Sequence, residues 1–337
     1  MWPFSIRTIL YAYTRTRQCC ISNVPERGDR GRRGFATNVE PWVALYNAFS
    51  VKGYFPQLGL LMPIDTIIDF PCRVKKDLGH GDMRAGTKVL AELVRARERC
   101  EQARASAPKT RLTDDSPIRV VRTLPTGVQV ERTATIGEIE AENAVLNAHV
   151  PVCTNCPVNA LRRPFGCIAA VAYPITKPAE RWLIDRVEPP DAIGGALCLQ
   201  NIADAAIDGE RTREYRTRGL FQAFPGLDRD LPSNRFDKPE ITGDEVFQPL
   251  LLANDKIVPW QALHMLLWFG AVKLDDAIPK TAEDATKLTR LEPADRAKRA
   301  KLYLGTPEAD AGIDQLRNLL KTLFVAWVRD VEILIDT

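Results

Sequence analysis

Residues 149–167, HVPVCTNCPVNALRRPFGC, hold one histidine and three cysteines spaced H-x3-C-x2-C-x10-C. A Cys-x2-Cys pair sets two sulfurs at one vertex of a tight turn, where both can reach a single ion at about 2.3 Å. Pro157 stiffens that turn, and Gly166, just before Cys167, lets the backbone fold back towards it. Cys153, Cys156 and Cys167 are therefore the expected ligands of one metal centre, and a fourth ligand is needed to complete a tetrahedron. Two residues compete for that place. His149 is local and gives a site of three cysteines and one histidine; Cys72, in IDFPC, is distant but also lies beside a proline and gives an all-cysteine site. The leading expectation is a structural Zn2+ ion. The alternative is a 4Fe–4S cluster, for which Cys72 is the better fourth ligand.

Blander readings stand beside these. Cys167 opens an apolar stretch and reads equally as a buried thiol. Arg162 and Arg163 read as solvated loop charges, although beside a cluster they would offset its negative charge. A redox Cys-x-x-Cys pair normally opens a helix after a strand, whereas this one follows a helical pattern, so thiol–disulfide chemistry fits less well.

Other chemistry is poorly represented. The chain has no G-x-x-x-x-G-K-[ST], no H-E-x-x-H and no G-x-S-x-G. The glycine-rich GHGDMRAG (79–86) lacks a surrounding βαβ pattern, so it does not read as a dinucleotide loop. His80 stands alone, and His264 sits inside an apolar helical pattern as a packed residue rather than a base. Asp275-Asp276 is the nearest approach to an acidic metal cluster and reads as a helix-end loop. The arginine-rich stretch 83–105 could meet phosphates, but Glu92, Glu98 and Glu101 dilute its charge and no aromatic residue is available there for base stacking.

The elements that must position the cysteines follow from periodicity. IDTIIDF (64–70) is a short apolar segment ending at Pro71-Cys72. Residues 83–105 place Val89, Leu90, Leu93 and Val94 on one side of a cationic helix. IRVVRTL (118–124), PTG (125–127) and VQVERTAT (128–135) read as a hairpin, and Thr135 with Glu138 as a capping box opening a helix to residue 148. CIAAVAYPI (167–175) reads as a buried strand and KPAERWLIDRV (177–187) as a helix with Pro178 in its first turn. Helices are expected at 191–207, 210–223, 243–253, 258–272 and 312–335. The last aligns Leu316, Leu319, Leu320, Leu323, Phe324, Trp327, Val328 and Val331 on one face.

The expected class is α+β, predominantly helical, with a small β module around the cysteine site. The expected divisions are an extension at 1–61, a cysteine-centred module at 62–190, a helical region at 191–274, a charged linker at 275–311 and a C-terminal helix at 312–337. A chain of 337 residues, 45% hydrophobic and 26% charged, suits a soluble globular protein, and its net charge of +3 is too small to imply nucleic acid. Eight cysteines without a disulfide-type spacing suit a reducing compartment, so the cytoplasm is expected. Residues 1–35 carry seven arginines against Glu26 and Asp29, which suits either a mitochondrial presequence ending near residue 37, with the matrix as destination, or a mispredicted start upstream of Met62. The apolar run 257–272 is too short to span a bilayer. The functional expectation is a metal-binding protein with a structural zinc site and a protein-partner role, with homo-oligomerisation through the C-terminal helix as one form of it. The alternatives are an iron–sulfur enzyme or electron carrier and a weakly basic nucleic-acid-associated regulator.

Overall fold

The computed structural model describes residues 64–106, 112–123, 129–172, 174–189, 192–217, 228–230, 240–251, 256–274, 287–288 and 290–336. The expectations for residues 1–61, for the turn at 125–127 and for Asp275-Asp276 lie outside these residues.

The chain is mixed α+β and mostly helical. Its main sheet has four antiparallel strands in the order β4–β1–β10–β7. These are β1 (Ile64–Ile68), β4 (Ile168–Val171), β7 (Lys256–Ile257) and β10 (Ile333–Asp336). Strand β1 is central and all five of its residues are buried. It pairs Ile64 with Val171 on one side and Ile67 with Leu334 on the other. Among the described residues three two-stranded ribbons accompany this sheet: β2 (Pro117–Thr123) with β3 (Gln129–Thr135), β5 (Asp228–Asp230) with β6 (Glu240–Thr242), and β8 (Val272–Leu274) with β9 (Ala300–Leu302).

The helices are α1 (Arg73–Leu78), α2 (Met83–Ser106), α3 (Ile136–Asn147), α4 (Val150–Thr154), α5 (Lys177–Ile184), α6 (Ile193–Asp204), α7 (Glu210–Thr217), α8 (Gly243–Leu251), α9 (Pro259–Trp268), α10 (Pro293–Arg299) and α11 (Ala311–Arg329). Local chemistry explains several of their starts. Thr135 accepts the Glu138 N–H at 3.2 Å while the Glu138 carboxylate accepts the Thr135 N–H at 2.8 Å, closing the capping box expected for α3. Thr176 caps α5 through the Ala179 N–H, with Pro178 in the first turn. Asp310 caps α11 through the Ile313 N–H at 2.9 Å.

Two apolar clusters meet at the sheet. The larger contains Leu263, Leu266, Phe247, Leu316, Leu319, Leu320, Leu323 and Trp327, with Ile64, Val171, Ile257 and Ile333 from the strands. The smaller contains Val74, Leu90, Val94, Leu146, Val158 and Phe165, with Ile67, Ile68 and Ile168 from the strands and the thiols of Cys153 and Cys167. The leucine face of α11 is thus consumed within its own chain; Phe324 and Val331 are its half-buried margins.

Two expectations need correction. The helix expected at 312–335 ends at Arg329. Asp330 adopts a left-handed backbone (φ 55°), and the Arg296 guanidinium donates to the Trp327 carbonyl at 2.6 Å and to Asp330 at 2.8 Å, so the last carbonyls are satisfied without another turn. Residues 333–336 then become β10. Second, the stretch expected as a charged, solvated connection with some helix does hold a helix, α10, but that helix buries Arg296 against α11 and leads into the strand β9. The sheet also crosses the boundary drawn near residue 190, because β7 and β10 come from the later half, and Leu58–Thr337 forms one compact unit.

Among the described residues, no helix is long and apolar enough to cross a membrane.

Candidate four-cysteine site

Cys72, Cys153, Cys156 and Cys167 all line one cavity, together with Ile68, Val74, Lys75, Leu90, Val152, Val158 and Phe165. Its walls are mostly apolar. His149 is not among the lining residues. It stands at the N-terminus of α4, where its carbonyl accepts the Cys153 N–H at 3.0 Å. Of the two competitors for the fourth position, the fold brings Cys72 to the other three cysteines and leaves His149 aside.

Each sulfur is delivered by a different piece of local structure. Cys72 ends the connection from β1 and precedes α1 with an extended backbone (φ −142°, ψ 159°). Cys153 lies in the short helix α4, and Cys156 follows in a turn closed by its own N–H donating to the Cys153 carbonyl at 3.3 Å. Cys167 immediately precedes β4, and its carbonyl accepts the Ile68 N–H at 3.0 Å. That bond ties the loop's end to the strand that leads to Cys72.

The loop between Cys156 and Cys167 is held by contacts that the residue types alone did not advertise. The Asn159 amide donates to the Cys153 carbonyl at 3.0 Å, and its Oδ1 accepts the Arg163 N–H at 3.3 Å. A side chain at Gly166 would overlap that same Oδ1, so the glycine is required by close approach rather than by an unusual φ. Arg162 (φ 53°) and Phe165 (φ 59°) are non-glycine residues in the left-handed region, a local strain that surrounding contacts must hold in place. The Phe165 N–H also donates to the Cys153 sulfur. Arg163 is engaged by Glu98 of α2 at 2.5 Å, which clamps the loop to that helix.

Burial dominates the electrostatics of the thiols. It pushes Cys153 up to about 11 and Cys167 up to about 12, in each case with smaller contributions from the neighbouring cysteines. Lys75 acts on Cys167 in the opposite sense. Metal binding at such thiols must displace their protons. All four cysteines are free, as are Cys100 and Cys198. Among the described residues, no set of three or more His, Cys, Asp or Glu side chains is arranged to hold a single metal ion. The four cysteines share one cavity without forming such a set.

Three residues here went unremarked in the sequence. Asn159 and Phe165 act through their amide and backbone, and no spacing rule marks them. Lys75 sits in a Lys75-Lys76 pair that reads as solvated charge, yet Lys75 is 1% exposed. No family model, no curated protein and no solved structure matches the chain. The functional reading rests on these residues alone.

The remaining singled-out residues have ordinary surroundings. His264 packs edge-on against Trp260, with ring centroids 5.4 Å apart. On α2, Arg95 pairs with the buried Asp65 at 2.5 Å, Arg97 with Glu101, and Arg104 with both Glu140 and Asp114.

Proposed function

We propose that Cys72, Cys153, Cys156 and Cys167 hold an iron–sulfur cluster and that the chain serves as an electron carrier or redox enzyme. What carries the reading is the convergence of all four cysteines on a single, largely apolar cavity. Four cysteines that share one cavity without forming a single-ion set fit a cluster several bonds across better than one ion, which draws its ligands in to about 2.3 Å. The N–H donated to the Cys153 sulfur is the kind of contact that tunes such a centre. A bound cluster supplies one-electron transfer. The protein's own contribution is to fix four sulfurs, exclude bulk water with Ile68, Leu90 and Phe165, and keep the centre near the surface. Val152, which lines the cavity, is 48% exposed, so a redox partner could approach closely. Free thiols throughout the described residues suit a reducing compartment such as the cytoplasm.

A structural zinc ion with a partner-binding role is the second reading. The tight Cys153–Cys156 turn favours it, because that pair alone could draw together on one ion. A nucleic-acid role has less support, since several α2 arginines that would meet phosphates are spent on carboxylates.

Anaerobic purification followed by iron, sulfide and zinc analysis tests the proposal. A brown protein with iron and acid-labile sulfide, lost in Cys72→Ser but kept in His149→Ala, is the expected result. Stoichiometric zinc with no iron after reconstitution would overturn it in favour of the second reading.

A further inference from the structure

We infer that Lys75 is the built-in counter-charge of the four-cysteine centre and, by that charge, holds its reduction potential up. The inference rests on the cluster reading above. The observation behind it is a lysine whose side chain is 1% exposed and lines the same cavity as the four sulfurs. Its ammonium donates to the Ile68 carbonyl at 2.8 Å, and among the described residues no carboxylate forms an ion pair with it.

A buried ammonium with one neutral acceptor is costly unless a negative charge lies nearby. Four thiolates around a metal centre provide that charge, and Lys75 already bears electrostatically on Cys167. The fold fixes Lys75 firmly. It is in α1, one turn after Cys72, and a side chain at Gly86 of α2 would overlap the Lys75 carbonyl. The two helices therefore meet backbone to backbone at this position. Its carbonyl acceptor, on Ile68, belongs to the residue whose N–H is bound by the Cys167 carbonyl. Lys75 is thus a positioning and charge-compensating residue held from both sides of the site, and not a ligand.

The consequence is electrostatic. Adding an electron makes the centre more negative, and a fixed neighbouring cation favours that state. Removing the cation while retaining the shape must disfavour it.

The test compares full-length wild type with Lys75→Met, Lys75→Gln and Lys75→Arg, each reconstituted anaerobically with iron and sulfide. Iron content, thermal unfolding of metal-free and loaded protein, and the midpoint potential in a dithionite titration are read for all four. The expected result is that Lys75→Met and Lys75→Gln shift the reduction equilibrium at least tenfold towards the oxidised state, 59 mV for a one-electron couple, while Lys75→Arg stays near wild type. Metal-free Lys75→Met should melt no lower than metal-free wild type, because it buries no charge, yet its loaded form should melt lower. Failure of both neutral variants to take up iron while Lys75→Arg fills is the stronger form of the same result. Unchanged potentials in the neutral variants overturn the inference and leave the cluster reading intact. Equal loss of metal-free stability in all three variants also overturns it, since that is a packing role. A wild-type chain that takes up no iron overturns the cluster reading and this inference with it.

Discussion

Two of the buried cations, Arg216 and Lys75, are held in different ways. In the helical part, Arg216 of α7 lies between Glu180, at 2.7 and 3.1 Å, and Asp244, at 2.6 Å, with all three side chains shielded from solvent. Burial raises the Glu180 pKa above its ordinary value despite that guanidinium, so Glu180 depends on it to remain charged. In the cysteine region, Lys75 has one backbone carbonyl and a cavity rimmed by thiols. The first constellation is electrostatically closed by the chain itself; the second is open on the side where the four sulfurs converge. Closure marks a structural device, and an open charge beside convergent ligands marks a place where something else completes the arrangement.

The largest effect should come from removing what completes the open site. Serine at Cys72, Cys153, Cys156 or Cys167 should abolish bound metal and lower the melting temperature of the loaded protein, since metal-binding energy is also folding energy. His149→Ala should do neither. Metal analysis and scanning calorimetry on the five variants decide this, and equal metal content in the cysteine variants would erase the distinction between the two regions.

On the closed side, Arg216→Met leaves Glu180 and Asp244 facing one another without a cation. Breaking a buried pair by deleting one partner costs about 3–5 kcal/mol, so urea unfolding should show a loss of that order. A cost below about 1 kcal/mol, the range of an exposed pair, would mean that the constellation is not closed in solution.

His264 sharpens the comparison through pH, because it is a half-buried titratable group in the helical part. Burial pushes its pKa down to about 4, against roughly 6.5 unfolded. The folded state therefore binds this proton less tightly than the unfolded one. The stability that the neutral imidazole permits is complete above about pH 6.5 and is lost as pH falls towards 4, by roughly 3 kcal/mol at the lower end. His264→Phe should flatten the unfolding free energy between pH 6.5 and 4. An unchanged slope would place that titration elsewhere.

The smallest effect is a control on a site that belongs to neither buried cation. Thr135→Ala removes the acceptor for the Glu138 N–H at the start of α3 and should cost about 1 kcal/mol. It should leave metal content untouched; a loss of metal here would mean that the cysteine site is sensitive to any destabilisation.

Local chemistry was the part of this fold most open to reading from sequence. The capping box at Thr135, the leucine face of α11, the strand β4 and the approach of Cys167 to the Cys153–Cys156 turn all depend on near neighbours, and their residue types announce them. The end of α11 was hidden because Val331 continues the helical stripe and no glycine marks the stop; Asp330 and the distant Arg296 make it instead. Whether Cys72 or His149 joins the other cysteines depended on β1 lying beside β4, a pairing of residues about a hundred positions apart. The burial of Lys75 was equally invisible, because its environment is built by Gly86, Ile68 and Cys167 rather than by its own neighbours in the chain.

The place of β10 in the main sheet has a consequence for biogenesis. Strand β1, which leads directly to Cys72, is flanked on one side by residues 333–336, so its second edge stays open until residue 336 has been synthesised. Pairing between such remote segments is slow compared with helix formation. During translation the early cysteines and the apolar β1 are therefore exposed together, with an unpaired strand edge that invites association with other chains. A ribosome that stalls within α11 would hold a nascent polypeptide with all four site cysteines already synthesised, yet with the platform beneath Cys72 unfinished. Maturation of the site then follows closure of the sheet, and a nascent chain held before that closure is the form most in need of a chaperone.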